Sequence, residues 1–95
     1  MRIRWSRPAS THLDEIGDYV ARDSPAAAHR LVNVIVDRVE TLSKHPHLGR
    51  AGRVADTREL VVAGTPYIVA YRVRLDKVEI LAVFHGARQW PDNFQ

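Results

Sequence analysis

The chain opens on a two-residue rhythm. Ile3 and Trp5 alternate with Arg2 and Arg4, which predicts a half-buried strand over residues 1–6. The rhythm then lengthens. Ala9, Leu13, Ile16 and Val20 form one apolar stripe at helical spacing, while Asp14, Glu15, Asp18 and Arg22 fall off it, so residues 8–22 read as a helix. Ser6 is placed to cap that helix, and Pro8 sits in its first turn, where a missing N–H costs little. Asp23-Ser24-Pro25 repeats the same punctuation. Ala28, Leu31, Val32, Ile35, Val39 and Leu42 then predict a second helix over residues 25–44. The β-branched run Val34-Ile35-Val36 would suit a strand, but helical spacing on both sides of it outweighs that. Pro46 disfavours helical geometry at His45 and stops the helix. So short a link between two helices predicts an antiparallel hairpin.

Residues 45–57 read as a loop broken by Pro46, Gly49 and Gly52 and charged by Arg50 and Arg53. Three strands follow, Glu59–Ala63, Tyr67–Arg74 and Val78–His85. Gly64-Thr65-Pro66 and Leu75-Asp76-Lys77 turn the chain between them, and such short connections make neighbours antiparallel. From Gly86 the tail is polar apart from Trp90 and Phe94. The order is β-α-α-β-β-β. The expected fold is α+β, an antiparallel sheet with one face covered by the helical hairpin, and with the first strand joining the sheet after the helices. At 95 residues this is one domain, residues 1–95.

Composition excludes several classes. The absence of cysteine rules out a disulfide framework, a thiolate zinc site and a cysteine nucleophile, and it suits a reducing cytosol. No apolar run approaches the roughly 20 residues of a membrane span. Met-Arg-Ile-Arg-Trp-Ser lacks the apolar stretch of a signal peptide, so a cytoplasmic protein without membrane attachment is expected. Fourteen basic residues face eleven acidic ones, a net charge of +3, and apart from Lys44 and Lys77 the basic residues are all Arg. Arg suits bidentate pairing with carboxylate or phosphate, as an acidic protein partner or a nucleic acid would offer. A GC-rich genome produces the same bias.

Chemistry-bearing motifs are mostly missing. There is no phosphate-binding glycine loop, no zincin helix and no nucleophile elbow. His45 and His47 lie in a Pro-containing loop without an obvious third ligand, so neither metal nor cofactor is expected. Arg50, Arg53, Arg58, Arg72, Arg74 and Arg88 all fall in the loop, the sheet or the tail. Arg72 and Arg74 share a strand face with Ile68 and Ala70. Metal-free RNA cleavage needs a base, an acid and cations for the developing charge, and His85, Tyr71, Arg58 and Arg88 are the right residue types. Each also has a structural alternative. His85 can be a hydrogen-bonded strand end, Tyr67 and Tyr71 packing groups, and Trp5 and Trp90 anchors at the core edge. Arg72 and Arg74 can pair with Asp76 and Glu79 across a hairpin.

The ordered set of segments resembles a known group. Thr57-Arg58-Glu59-Leu60-Val61-Val62, Pro66 through Val73, and Val78 through Arg88 are similar to the C-terminal sheet of the RelE/ParE toxin superfamily. Leu13 through Val20 and Ser24-Pro25-Ala26-Ala27-Ala28 resemble its helical hairpin, and His45 through Arg50 its helix-to-sheet loop. The resemblance runs from Ile3 to Trp90. It implies a growth-arresting toxin of a type II toxin–antitoxin pair, of the kind linked to plasmid stabilisation, held inactive by a cognate antitoxin. Operator DNA would be contacted only through that antitoxin.

The superfamily divides by target. RelE-like members are ribosome-dependent mRNA endoribonucleases, whereas ParE-like members inhibit DNA gyrase. Ribonuclease members tend to carry an Arg three residues before the Tyr that matches Tyr71; here that residue is Ile68. RelE-type cations on the preceding strand are matched by Arg58 and then by Leu60. Loss of a positioned cation costs a metal-free nuclease on the order of a hundredfold. The ParE-like branch is therefore the expected one, with the ribonuclease built on Arg58, Tyr71, His85 and Arg88 as the alternative. A degenerate toxin that only binds its partner is the third possibility. Under each of them, Arg50, Arg53, Arg58, Arg72, Arg74 and Trp90 are expected to meet the antitoxin or the target. The antitoxin is expected to bind by β-augmentation or as a helix in a groove.

Overall fold

Both helix starts are built as the punctuation predicts. A computed structural model describes residues 1–87 of the chain. In it Ser6 Oγ accepts the Ala9 N–H at 3.1 Å and opens α1, Arg7–Ala21. Ser24 Oγ accepts the Ala27 N–H at 3.1 Å and opens α2, Pro25–Glu40. The two helices cross closely at Gly17, where an added Cβ would lie 3.2 Å from Val32 Cγ2. The second helix is shorter than the predicted 25–44, because Thr41–Ser43 tightens into a 3₁₀ turn. Thr41 Oγ1 donates to the Arg38 carbonyl at 2.6 Å, and such back-bonding competes with the helical ladder.

The strands are β1 (Arg2–Trp5), β2 (Arg50–Ala51), β3 (Arg58–Val61), β4 (Tyr67–Arg74) and β5 (Lys77–His85), in the sheet order β1-β5-β4-β3-β2. Two features depart from expectation. The loop expected over 45–57 contains β2, and β1 lies parallel to β5, with Ile3 opposite Val78. The second follows from the first. If every connection reverses the chain, β-α-α-β-β-β brings the last strand back antiparallel to the first. The hairpin from β2 to β3 adds one reversal, and the last strand then runs parallel. The sheet is mixed rather than antiparallel.

The helices bury one face. Ala9, Ile35, Val39 and Leu42 pack on Leu60, Val62, Val69, Tyr71, Val78, Ile80 and Val83, with Ile3, Trp5, Leu13 and Ile16 at the margin. A smaller cluster of Ile68, Ala70, Ala82 and Phe84 lies on the other face. A bulge in β5 makes this division possible. Ala70 pairs with Ala82 but Tyr71 pairs with Ile80, so Leu81 is the extra residue. Even-numbered positions of β5 face the helices before it and odd-numbered ones after it. Without the bulge Phe84 would point into the helical core. None of the described helices is long and apolar enough to cross a membrane.

One helix-to-sheet contact is pH-sensitive. The Val83 N–H donates to His12 Nδ1 at 3.3 Å. Burial pushes the His12 pKa below its ordinary 6.5, while Glu15 opposes the shift. The unfolded chain thus takes up a proton that the folded chain resists. The contribution to stability is complete above pH 6.5 and declines as pH falls below it. His12→Gln should flatten the dependence of Tm on pH between about pH 7.5 and 5.5 relative to the parent chain. Parallel melting curves for the two proteins would remove His12 from the account.

Candidate functional site

Arg58 and Tyr71 face each other across β3 and β4, on the side of the helices. Their polar ends turn to the segment entering the sheet. The Tyr71 hydroxyl donates to the Pro46 carbonyl at 2.9 Å and accepts the Gly49 N–H at 2.8 Å. The Arg58 guanidinium donates to the Gly49 carbonyl at 2.8 Å and more weakly to the His47 carbonyl at 3.3 Å. Tyr71 is fully buried. Burial raises its pKa, with the Gly49 hydrogen bond and the Arg58 charge opposing. Its proton is therefore engaged with a carbonyl. The pair clamps residues 46–49 onto the sheet.

The opposite face carries the other cations. Glu59, buried at 3% exposure, lies within 3.0 Å of Arg50 and 3.5 Å of Arg53. Arg53 also stacks its guanidinium 5.6 Å from the Phe84 ring centroid. Arg72 bonds Glu79 at 2.7 Å across the hairpin. That hydrogen bond is the main reason the Glu79 pKa is depressed, with the charges of Arg72, Arg74 and Lys77 adding to it against desolvation. Arg74 stands opposite Lys77 rather than opposite a carboxylate. Where β3 begins and β4 runs on, Arg58, Arg72 and Arg74 converge on a cleft of about 560 Å³ that His47, Asp56 and Thr57 also line.

The three described residues proposed for RNA cleavage, Arg58, Tyr71 and His85, do not gather around one point. His85 is opposite Tyr67, and the rings meet edge to face at 5.8 Å. His85 Nδ1 accepts the Ala87 N–H at 3.2 Å. Tyr67 and Tyr71 are four residues apart, roughly 13 Å of strand, so His85 lies far from the Arg58–Tyr71 clamp. Arg88 and Trp90 lie outside the described residues. Ile68 sits buried in the smaller cluster. Leu60, by contrast, faces the helices opposite Val69, so a cation there would point into the core. The absence of a cation at Leu60 therefore says little about target, and the comparison with ribonuclease members rests on Ile68.

Sequence reasoning missed Glu59, the carboxylate that organises Arg50 and Arg53. The signal was present: an acidic residue within an otherwise apolar strand, next to a loop with two Arg. It also missed Gly49, which nothing local distinguishes from an ordinary loop glycine. Among the described residues no group of three acidic or histidine side chains is placed to hold a metal ion.

Comparison with known proteins agrees with this architecture. Residues 3–90 match the model of a family described as the ParE toxin of the type II toxin–antitoxin system parDE. The chain is 51% identical over 90 residues to the putative toxin Y4kP of Sinorhizobium fredii, covering 95% of this chain and 93% of that one. It is 34% identical over 87 residues to the toxin RelE2 of Caulobacter vibrioides, covering 92% and 97%. Among solved structures it is similar to a chain of the chromosomal ParDE toxin–antitoxin system from P. aeruginosa. The TM-score is 0.81 and the identity 31%, over 90% of this chain and 95% of that one.

Proposed function

Because the chain belongs to the ParE toxin family of type II toxin–antitoxin systems, we propose that it arrests growth by inhibiting DNA gyrase, acting by binding rather than by catalysis. Its place in such a system implies an antitoxin partner. The observation that carries the gyrase reading is the distance of His85 from the Arg58–Tyr71 pair among the described ribonuclease candidates. Tyr71 has its hydroxyl committed to Pro46 and Gly49. His85 pairs with Tyr67 about 13 Å along the strand. Ile68 stands where ribonuclease members tend to carry Arg, and it is buried in the smaller apolar cluster. With His85 about 13 Å along the strand from Tyr71 and its neighbour Arg58, the base does not meet the same phosphate as the acid and the cation.

The ribonuclease reading keeps one support, since two relatives bear the name RelE. The two readings separate in a supercoiling assay. Purified toxin at micromolar concentration should inhibit gyrase, and antitoxin should restore activity. In cells, DNA synthesis should fail before protein synthesis, and His85→Ala should remain toxic. Intact supercoiling together with transcripts cut within codons would instead establish the ribonuclease. For the antitoxin we assign its acidic residues to the cleft cations Arg58, Arg72 and Arg74 and to Arg50 and Arg53, which pair with Glu59. Salt should then weaken the complex.

A further inference from the structure

The strand register assembles a second feature, of which the antitoxin assignment uses only Arg72 and Arg74. On the face away from the helices, Arg2 of β1, Lys77 of β5 and Arg74 of β4 stand side by side on neighbouring strands. The next row along is Arg4, Glu79 and Arg72. Five cationic side chains thus occupy one end of the sheet. Three carboxylates accompany them: Glu79, committed to Arg72 at 2.7 Å, Asp76, exposed in the turn between β4 and β5, and Asp56, which lines the cleft with Arg72 and Arg74. Among the described residues no ion pair joins Arg2, Arg4, Arg74 or Lys77 to a carboxylate. Arg2, Arg4 and Arg74 are exposed and Lys77 is half-buried.

Like charges directly opposite each other across a ladder destabilise a sheet. A row of three without a carboxylate between them therefore costs the free protein some stability, and a polyanion laid across it would offset the repulsion. Two kinds of polyanion are available, acidic polypeptide and nucleic acid. An acidic peptide bound by strand addition needs apolar pockets beside its charges. The apolar cluster of this face, Ile68, Ala70, Ala82 and Phe84, lies towards the other end of β4 and β5. Single-stranded nucleic acid is held largely by stacking on aromatic rings, and none of the six residues in the two rows is aromatic. A duplex asks only for cations at its phosphates.

We propose that the Arg2–Lys77–Arg74 row, with Arg4 and Arg72 behind it, is a docking surface for the phosphate backbone of duplex DNA. The surface is independent of sequence. It shares Arg72 and Arg74 with the antitoxin assignment and extends beyond it, because Arg2, Arg4 and Lys77 do not line the cleft.

The test is fluorescence anisotropy of a labelled mixed-sequence DNA duplex titrated with the full-length chain at several salt concentrations. Binding should weaken steeply with salt. The variant Arg2→Gln/Arg4→Gln/Lys77→Gln should bind on the order of tenfold more weakly at low salt, and its log–log salt slope should be shallower by about three. Circular dichroism and antitoxin binding check that it is folded, and the single variant Arg2→Gln should shift the slope by about one without touching the fold. Unchanged binding by the folded triple variant would overturn the proposal. So would tighter binding to the single strand, or to polyglutamate, at equal salt. Each of these results can be obtained whether or not gyrase proves to be the target.

Discussion

Gly49→Ala is expected to lower the unfolding midpoint by roughly 10–20 °C. An added Cβ would lie 2.7 Å from Tyr71 Cε1, 2.8 Å from its hydroxyl and 2.9 Å from the Glu59 carbonyl. None of these neighbours is the free end of a flexible side chain. Tyr71 is fully buried, and the Glu59 carbonyl belongs to a strand. Room can come only from lifting residues 46–49 off the sheet, which breaks the hydrogen bonds of Tyr71 and Arg58 to that segment. Overpacking together with lost buried hydrogen bonds costs about 2–3 kcal/mol. For a domain this small each kcal/mol moves Tm by about 4–8 °C. Thermal unfolding followed by circular dichroism decides it. A change below about 3 °C would mean that the segment is loosely held.

Tyr71→Phe tests the same clamp from the other side. Removing the hydroxyl leaves the Gly49 N–H without its acceptor and the Pro46 carbonyl without its donor in the clamp. Each unsatisfied buried group costs about 1–3 kcal/mol, so a loss of about 2–3 kcal/mol is expected, partly relieved where water reaches Pro46. Toxicity per folded molecule should survive, because on this account Tyr71 holds a loop and transfers no proton. Loss of toxicity without loss of stability would return Tyr71 to the catalytic candidates. The double variant with Gly49→Ala should cost less than the sum, since both changes free the same segment.

Much of the fold could be read from local pattern. Ser6 and Ser24 cap helices because their side chains lie where an unpaired N–H needs an acceptor, a relation spanning three residues. The stripes of both helices predicted the residues that meet the sheet, from Ala9 to Leu42. The pairing of Arg72 with Glu79 was also foreseeable, because one tight turn sets that register. The site was less legible. Arg58 and Tyr71 are residue types suited to phosphate chemistry, and nothing in their spacing shows that both are spent on the carbonyls of residues 46–49. Leu60 looked like a missing surface cation until the register turned it towards the helices.

By itself the sequence determined both helices and their buried stripes, four of the five described strands and the toxin superfamily. Those properties depend on neighbours within a few positions, or on the ordered succession of such segments. Tertiary structure decided three further things: the parallel edge strand, the switch of faces at Leu81, and which cations stand together. Each depends on counting reversals or on a one-residue slip between strands distant in the chain. A slip of one residue exchanges the faces of everything beyond it. That is why the row of Arg2, Lys77 and Arg74, drawn from opposite ends of the chain, exists only once the sheet is closed.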